Sequence, residues 1–353
     1  MARRPAPAAT LTYRGAGVDR ERKDAMLDAL APRIRSTHSD AVLGPAGTFG
    51  ALARVTGFRD AVLVTSIDGV GTKVRVAELL DRWRVVGADI VSHGANDVLC
   101  QGATPLFMLD YIASSRLVPG VVAEILEGMV EACHDQGVSL IGGETAEMPG
   151  VYRPGGADVV GCTIGAVERD RLITGEAIRR GDAIVGLASD GLHTNGYSLA
   201  RAALLPPGRL EARRALERRP AELSETLGSA LLRPHRPYAR PVLALRERVE
   251  IRGIAHVTGG GIPGNLVRIL PDGCRARVAN GGWPVPPLFA LIQKRGAVST
   301  EEMFRTFNMG IGLLLVLPSD AAAGAVEFLE REGERAWPVG TIVEGQRGVE
   351  LDA

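Results

Sequence analysis

Apolar runs of strand length alternate with amphipathic stretches of helix length through this chain, and glycine-rich turns follow the strands directly. That alternation restricts the fold to an α/β or α+β class. Residues 61–67, Ala-Val-Leu-Val-Thr-Ser-Ile, read as a buried strand. Residues 83–101 read as a helix whose apolar side is Val85, Val86, Ile90, Val91 and Val98. A strand at 105–113, a helix at 121–136, a short strand at 138–141 and a strand at 159–167 complete the first half. Before them, 18–34 reads as a helix with Met26, Leu27, Leu30 and Ile34 on one face, and Pro32 is expected to end it early. A boundary is expected at 168–182, where Arg179-Arg-Gly-Asp182 reads as a helix end before a strand at 183–188. The second half repeats the alternation, with helices expected near 198–205 and 262–269. The implied division is an arm and helix at 1–40, a first domain at 41–168, a second at 169–345 and a frayed tail at 346–353.

Composition excludes several classes. A chain of 353 residues corresponds to roughly two domains. Lys+Arg and Asp+Glu are both 41, so no basic surface for nucleic acid is expected. Cys100, Cys133, Cys162 and Cys274 lack the spacing of a zinc site, and fit reduced thiols in a cytoplasm. No stretch reaches 18 apolar residues, so no membrane span is expected. Only Lys23, Lys73 and Lys294 interrupt an otherwise all-Arg set of cations, which raises the chance that each is kept for its chemistry.

The glycine clusters carry the chemistry. Asp68-Gly-Val-Gly-Thr-Lys73 follows a strand. Its glycines, Gly69 and Gly71, allow close backbone approach to phosphate, Thr72 adds a hydroxyl and Lys73 a compact charge. Asp68 would repel a bare phosphate, which suggests a Mg²⁺ bridge. The spacing matches neither a Walker A loop nor a dinucleotide fingerprint; an ordinary turn is the alternative. Asn96-Asp97 offers two hard oxygen ligands on a helix containing Gly94, though alone it reads better as a solvated face. Gly142-Gly-Glu-Thr-Ala-Glu147 places two acids three apart, on one face if a helical turn forms, against a plain surface turn. In the second half, Ser189-Asp-Gly-Leu-His-Thr-Asn-Gly196 presents His193, Thr194 and Asn195 for hydrogen bonding or proton transfer. His256-Val-Thr-Gly-Gly-Gly261 opens a helix and suits an anion, while a tight strand start is as good a reading of Phe307-Asn-Met-Gly-Ile-Gly312 as ligand contact. Acids with a lysine suit a metal–nucleotide and neutral donors suit a phosphorylated substrate, which together indicate ATP-dependent chemistry between the halves.

DGVGTK (68–73), ANDVLCQGATPLFMLDY (95–111), GGETAEMPG (142–150), SDGLHTNGYS (189–198), HVTGGG (256–261) and MFRTFNMGIG (303–312) occur in this order, and the chain resembles the phosphoribosylformylglycinamidine cyclo-ligase family from about residue 12 to 343. Three departures stand out: His93-Gly94-Ala95 where bulkier residues are usual, Met309 where Cys is frequent, and Arg14 where Lys is often seen. The resemblance implies a two-domain α/β (α+β) subunit with N-terminal domains pairing into a dimeric β-barrel and a C-terminal α/β domain. It implies a cytoplasmic homodimer that uses ATP and Mg²⁺ to close formylglycinamidine ribonucleotide to aminoimidazole ribonucleotide, with no nucleic-acid or membrane partner. On it, Asp97, His193 and Lys73 are expected to be catalytic. Asp68, Gly69, Gly71, Thr72, Lys73, Asn96, Asp97, Gly142, Gly143 and Glu144 are expected to bind ATP, with Asp68, Asp97 and Glu144 on Mg²⁺. Gly47, Thr48, His193, Thr194, Asn195, Thr258, Gly259, Gly260, Gly261 and Asn308 are expected to bind substrate. A selenophosphate synthetase-like or thiamine-monophosphate kinase-like activity is the nearer alternative, against which GGETAEMPG and HVTGGG argue. A non-catalytic nucleotide-binding protein is the other, against which the intact Asp68, Asp97 and Glu144 argue.

Overall fold

The computed structural model describes residues 11–44, 49–279 and 281–352. In the first half, β1 (Val42–Leu43) and β2 (Leu52–Ala53) make a short antiparallel pair. A four-stranded sheet is built from β3 (Ala61–Gly69), β4 (Thr104–Ser114), β5 (Ser139–Glu147) and β6 (Ala157–Glu168), in the order β3-β6-β4-β5. Only β4 and β5 run parallel. The helices are α1 (Arg20–Arg35), α2 (Val74–Leu80), α3 (Arg84–Leu99) and α4 (Pro119–Gln136). Pro32 lies within α1 and does not end it. Pro32 and Asp28, whose carbonyl loses its helical partner, are both exposed, so the helix carries the proline where the unpaired carbonyl is open to solvent.

Helices α3 and α4 pack on each other and cover one face of this sheet. Their contact needs glycine on both sides: a Cβ on Gly87 would stand 1.9 Å from the Ile125 carbonyl oxygen, and one on Gly128 1.9 Å from that of Arg84. Gly94 is explained the same way, since a Cβ there would lie 2.1 Å from Thr163 Oγ1 on β6. The close approach of α3 to the sheet outweighs the ~1 kcal/mol that glycine costs a helix.

Strand β3 is not buried as its apolar run suggests. Val62 and Val64 pack beneath Val98, Ala103 and Val167, but Leu63 and Ile67 on the opposite face are 56% and 71% exposed. Strand β5 is longer than expected: Gly142, Gly143 and Glu144 continue it instead of forming a turn, so Glu144 and Glu147 point to opposite faces of the sheet.

The second half contains β7 (Ala183–Ala188), β8 (Gly253–His256), β9 (Cys274–Ala279), β10 (Ile311–Leu317), β11 (Ala336–Glu344) and β12 (Gly348–Asp352). They form one sheet in the order β12-β9-β11-β7-β10-β8, antiparallel except for β12 with β9. Every residue of β10 is buried, as fits a strand covered on both faces. Around the sheet lie α5 (Tyr197–Leu204), α6 (Arg209–Glu217), α7 (Leu227–Leu231), α8 (Ala239–Arg246), α9 (Gly261–Leu266), α10 (Pro287–Gly296), α11 (Thr300–Thr306) and α12 (Ala322–Arg331). Three expectations are corrected. Residues 346–353 were expected to fray, yet 348–352 are the edge strand β12. Residues 179–182 form a turn instead of a helix end, with the Arg179 N–H donating to Asp182 Oδ2 at 3.0 Å. The helix expected at 262–269 divides into α9 and a 3₁₀ turn, Val267–Ile269.

Candidate active site

Four buried histidines meet where the two halves touch. His93 comes from α3, His193 from the loop after β7, His235 from the segment before α8, and His256 from the end of β8. His235 Nε2 lies 2.9 Å from His256 Nε2, and His193 stacks on His235 with ring centroids 4.1 Å apart. His93 Nδ1 lies 2.8 Å from Thr194 Oγ1, which joins α3 to the second half. His193 adopts a left-handed backbone at φ 62°, a strain the packing around it must hold.

Two carboxylates close this cluster toward the cleft. Asp97 Oδ1 sits 2.8 Å from His256 Nδ1, and Ser66 Oγ donates to Asp97 Oδ2 at 2.8 Å. Asp68 Oδ2 approaches His93 Nε2 at 3.0 Å, and Asp97 Oδ2 approaches the same nitrogen at 3.6 Å. Burial works to raise the Asp97 carboxyl, but the bond and charge of His256, the charge of His93 and the Ser66 hydroxyl hold it at about 2. The bond to His93 chiefly lowers Asp68. Burial pulls His93 down, yet Asp68, Asp97 and Asp89 together raise it. His193 and His235, buried among other cations, are pushed well below the usual histidine value and stay neutral.

Lys73 is the main departure from expectation. Its ammonium, expected on a phosphate, is fully buried: Nζ lies 2.7 Å from Asp89 Oδ2 and donates to the Arg233 carbonyl at 2.7 Å. Asp89 Oδ1 in turn accepts from His235 N at 2.7 Å. The pair bolts the first half to the 233–235 segment of the second and leaves no proton facing the cleft. Asn96 is also engaged, as its Nδ2 donates to the Arg236 carbonyl at 2.8 Å and its Oδ1 accepts from Tyr238 N at 2.9 Å. Both side chains therefore position the domain contact and are not free to hold ATP. Gly69, Gly71 and Thr72 do line the exposed turn beside Asp68, with Thr72 Oγ1 3.2 Å from Ser198 Oγ across the cleft.

Glu144 stands away from the other two acids. Asp68 pairs with Gly161, Gly161 with Asp110, and Asp110 with Gly143, so three strand spacings, roughly 14 Å, separate β3 from β5. Glu144 instead lies 3.7 Å from Lys23. One ion shared by Asp68, Asp97 and Glu144 within a single chain is excluded by that spacing. Gly142 and Gly143 move with Glu144 to this far edge.

Among the expected substrate residues, His193 and Thr194 belong to the buried cluster, and Asn195 Nδ2 donates to Thr194 Oγ1 at 3.4 Å. Of Thr258, Gly259, Gly260 and Gly261, Gly259 faces this loop, where a Cβ would stand 3.2 Å from Asn195 Oδ1; the turn is organised by Asn265, whose Nδ2 donates to the Gly261 carbonyl at 2.8 Å. Asn308 is buried and spent on the loop after β7, accepting from Ser189 Oγ at 3.0 Å and donating to the Gly191 carbonyl at 2.8 Å, so it is not available to substrate. Gly47 and Thr48 lie outside the described residues. His235 and Asn265 were missed, because neither belongs to a glycine motif.

Beside the Thr72–Ser198 contact lies a cavity of about 620 Å³. Arg75, Arg153, Arg201 and Arg209 line it. Glu78 accepts from Arg75 at 2.8 Å and Arg209 at 2.6 Å, and also pairs with Arg153. One acid among four guanidiniums leaves a wall suited to an anion.

Residues 50–167 match the family model "AIR synthase related protein, N-terminal domain", and 179–352 match "AIR synthase related protein, C-terminal domain". A phosphoribosylformylglycinamidine cyclo-ligase of Myxococcus xanthus is 46% identical over 337 residues, covering 95% of this chain and 96% of that one. Another, of Carboxydothermus hydrogenoformans, is 45% identical over 341 residues, covering 96% and 98%. Among solved structures, hydrogenase maturation protein HypE in complex with ATP aligns with a TM-score of 0.66 at 19% identity, covering 92% of this chain and 90% of that one. Thiamine-monophosphate kinase from Stenotrophomonas maltophilia aligns at 0.63 and 20% identity, covering 92% and 96%. At these identities the structural matches bear on the fold alone.

Proposed function

This chain belongs to the phosphoribosylformylglycinamidine cyclo-ligase family, and from that premise we propose how its residues serve the reaction. It is an ATP-dependent ligase of purine biosynthesis that closes formylglycinamidine ribonucleotide to aminoimidazole ribonucleotide. ATP phosphorylates the formyl amide oxygen, the amidine nitrogen attacks the activated carbon, and phosphate departs. Phosphoryl transfer asks of a protein mainly positioning and neutralisation of charge. The observation that carries our reading is the convergence of Asp68 and Asp97 on one point beside the Gly69–Thr72 turn, opposite the His193–Asn195 loop.

In this reading Asp68 and Asp97 hold the divalent cation that accompanies ATP, and Gly69, Gly71 and Thr72 contact its phosphates. Their fit rests on two ionised oxygens within 3.6 Å of a common atom, the hard donor set such a cation takes. When bound, the cation neutralises charge on the phosphates. Glu144 is left out of that ion's shell. Thr194 and Asn195 orient the substrate, and neutral His193 fixes their loop while its low basicity suits it to take a proton only transiently. The arginine wall at Arg75 and Arg201 receives the ribonucleotide phosphate. Phosphate release with ATP and formylglycinamidine ribonucleotide, each omitted in turn, tests the reading. Release that needs both supports it, and release that ignores the ribonucleotide overturns it.

We also infer a cytoplasmic homodimer in which two copies pair their four-stranded sheets into a barrel. The uncovered face carrying Leu63 and Ile67 supports this, since a sheet needs its apolar face covered. No helix of the described residues is long and apolar enough to cross a membrane. Light scattering at micromolar concentration is expected to give a dimer for the natural chain and a monomer for Ile67→Asp. A monomeric natural chain, or an undisturbed dimer in Ile67→Asp, contradicts the pairing.

A further inference from the structure

We propose that Glu78 is a positioning residue for the phosphate of the ribonucleotide. It holds Arg75, Arg153 and Arg209 from behind, so that their free edges and Arg201 close on a phosphate monoester. This rests on the reading that the arginine-lined cavity receives that phosphate.

Three chain segments meet at one carboxylate. Glu78 and Arg75 lie three apart on α2, and Arg75 Nη1 donates to Glu78 Oε2 at 2.8 Å. Arg153, from the turn between β5 and β6, donates to Glu78 Oε1 at 3.3 Å and also pairs with Oε2. Arg209, from the second half, donates to Oε1 at 2.6 Å. Gly208, at φ 99°, caps the start of α6 and places Arg209 at its first position. The Glu78–Arg209 pair therefore draws the 205–209 connection of the second half onto α2 of the first.

The acid and the cations face different ways. The Glu78 side chain is 8% exposed and does not line the cavity, whereas Arg75, Arg153, Arg201 and Arg209 all do. A phosphate in the cavity meets the guanidiniums and not the carboxylate. A guanidinium has five N–H donors in a planar fork, so one edge can stay on Glu78 while another faces a phosphate oxygen. Fixing the fork beforehand removes the cost of ordering a long side chain on binding. Without that anchor Arg209, whose side chain is 67% exposed, is free to swing into solvent.

Arg201 on α5 supplies the uncompensated charge. It is half-buried, and among the described residues no carboxylate lies within ion-pair distance of its guanidinium. Burial, then the charge of Arg75, draws it below its ordinary value, and Glu78 opposes both. A half-buried cation beside a second cation is relieved by an incoming anion. Ser198 is also in the wall, and its Oγ lies 3.2 Å from Thr72 Oγ1, which sets a substrate anchored here next to the turn assigned to ATP.

Steady-state kinetics of the full chain with ATP and formylglycinamidine ribonucleotide test this. Glu78→Gln is expected to raise KM for the ribonucleotide about tenfold, with kcat and KM for ATP within about twofold of the natural chain. Inorganic phosphate, as a competitor of the ribonucleotide, is expected to weaken by a similar factor. Charge alone forecasts the opposite, since losing a negative charge behind the wall would lower KM. Glu78→Asp keeps the charge but draws the carboxylate one methylene back from the three guanidiniums, and is expected to raise KM as well. An unchanged or lowered KM in Glu78→Gln, or natural kinetics in Glu78→Asp, overturns the proposal. If the melting temperature shows that Glu78→Gln does not fold, Arg209→Gln, which alters an exposed side chain, carries the same forecast, and an unchanged KM there overturns it. Arg201→Gln separates the inference from the reading beneath it. A raised KM in Arg201→Gln but not in Glu78→Gln keeps the phosphate in the cavity and removes Glu78 from its binding. An unchanged KM in Arg201→Gln removes the phosphate from the cavity, and both fall.

Discussion

Lys73→Met is expected to destabilise the protein by about 3–5 kcal/mol, because it leaves the Asp89 carboxylate buried without its counter-charge. Both side chains are fully buried, 2.7 Å apart. Burial pushes the Lys73 ammonium down and the Asp89 carboxyl up, and their mutual attraction opposes both shifts. Lys73→Arg is expected to destabilise too, since a planar guanidinium does not fit where one compact ammonium meets Asp89 and the Arg233 carbonyl. The double variant Lys73→Met/Asp89→Asn is expected to recover most of the loss. It removes both charges and keeps an acceptor for His235 N. Denaturant midpoints of the three variants check this. A Lys73→Met protein within about 1 kcal/mol of the natural chain, with only its response to ATP weakened, would return Lys73 to the phosphate role that its place after Gly71 suggests.

That reversal shows how far local pattern reaches. Glycines followed by Thr72-Lys73 look alike whether the ammonium turns outward to phosphate or inward to an acid, and Asp89 lies 16 positions further along. The strand–helix alternation was legible because hydrophobic period and glycine punctuation are local properties of the chain. Burial of β3 was not, since an apolar run reads the same whether its second face is covered by the chain's own helix or left open, as at Leu63 and Ile67. Strand β5 was cut short because Gly142-Gly143 resembles a turn. There the glycine answers a lack of space, since a Cβ on Gly143 would stand 2.3 Å from Asp110 Oδ1. Asp68 and Asp97 could be picked out by chemical type, and so could His193 and His256. Their convergence, and the addition of His93 and His235, depends on α3 crossing against the second half, which no spacing within one motif records.

Asp97→Asn is expected to lower kcat/KM by about ten- to a hundredfold, the effect of losing a charge-assisted contact of about 1.5–3 kcal/mol. The substitution keeps the shape. An amide oxygen can still accept from His256 Nδ1, and the amide nitrogen can donate to Ser66 Oγ, which occupy the two carboxylate oxygens now. What disappears is a negative charge that is present at every working pH, because the carboxyl is held near 2 against its ordinary 3.8. Such a lowered value stabilises the fold above about pH 4, and the contribution is lost as pH falls toward 2. The shift corresponds to about 2.5 kcal/mol at about 1.4 kcal/mol per unit. Two measurements therefore separate the charge from the shape. Steady-state kinetics near neutrality should show the loss of turnover with the melting temperature only modestly changed. Unfolding followed from pH 5 down to pH 2 should show the natural chain losing its advantage over Asp97→Asn across that interval. Equal turnover in the two proteins would remove Asp97 from the reaction, and parallel acid profiles would mean that His256, His93 and Ser66 do not favour its charged form.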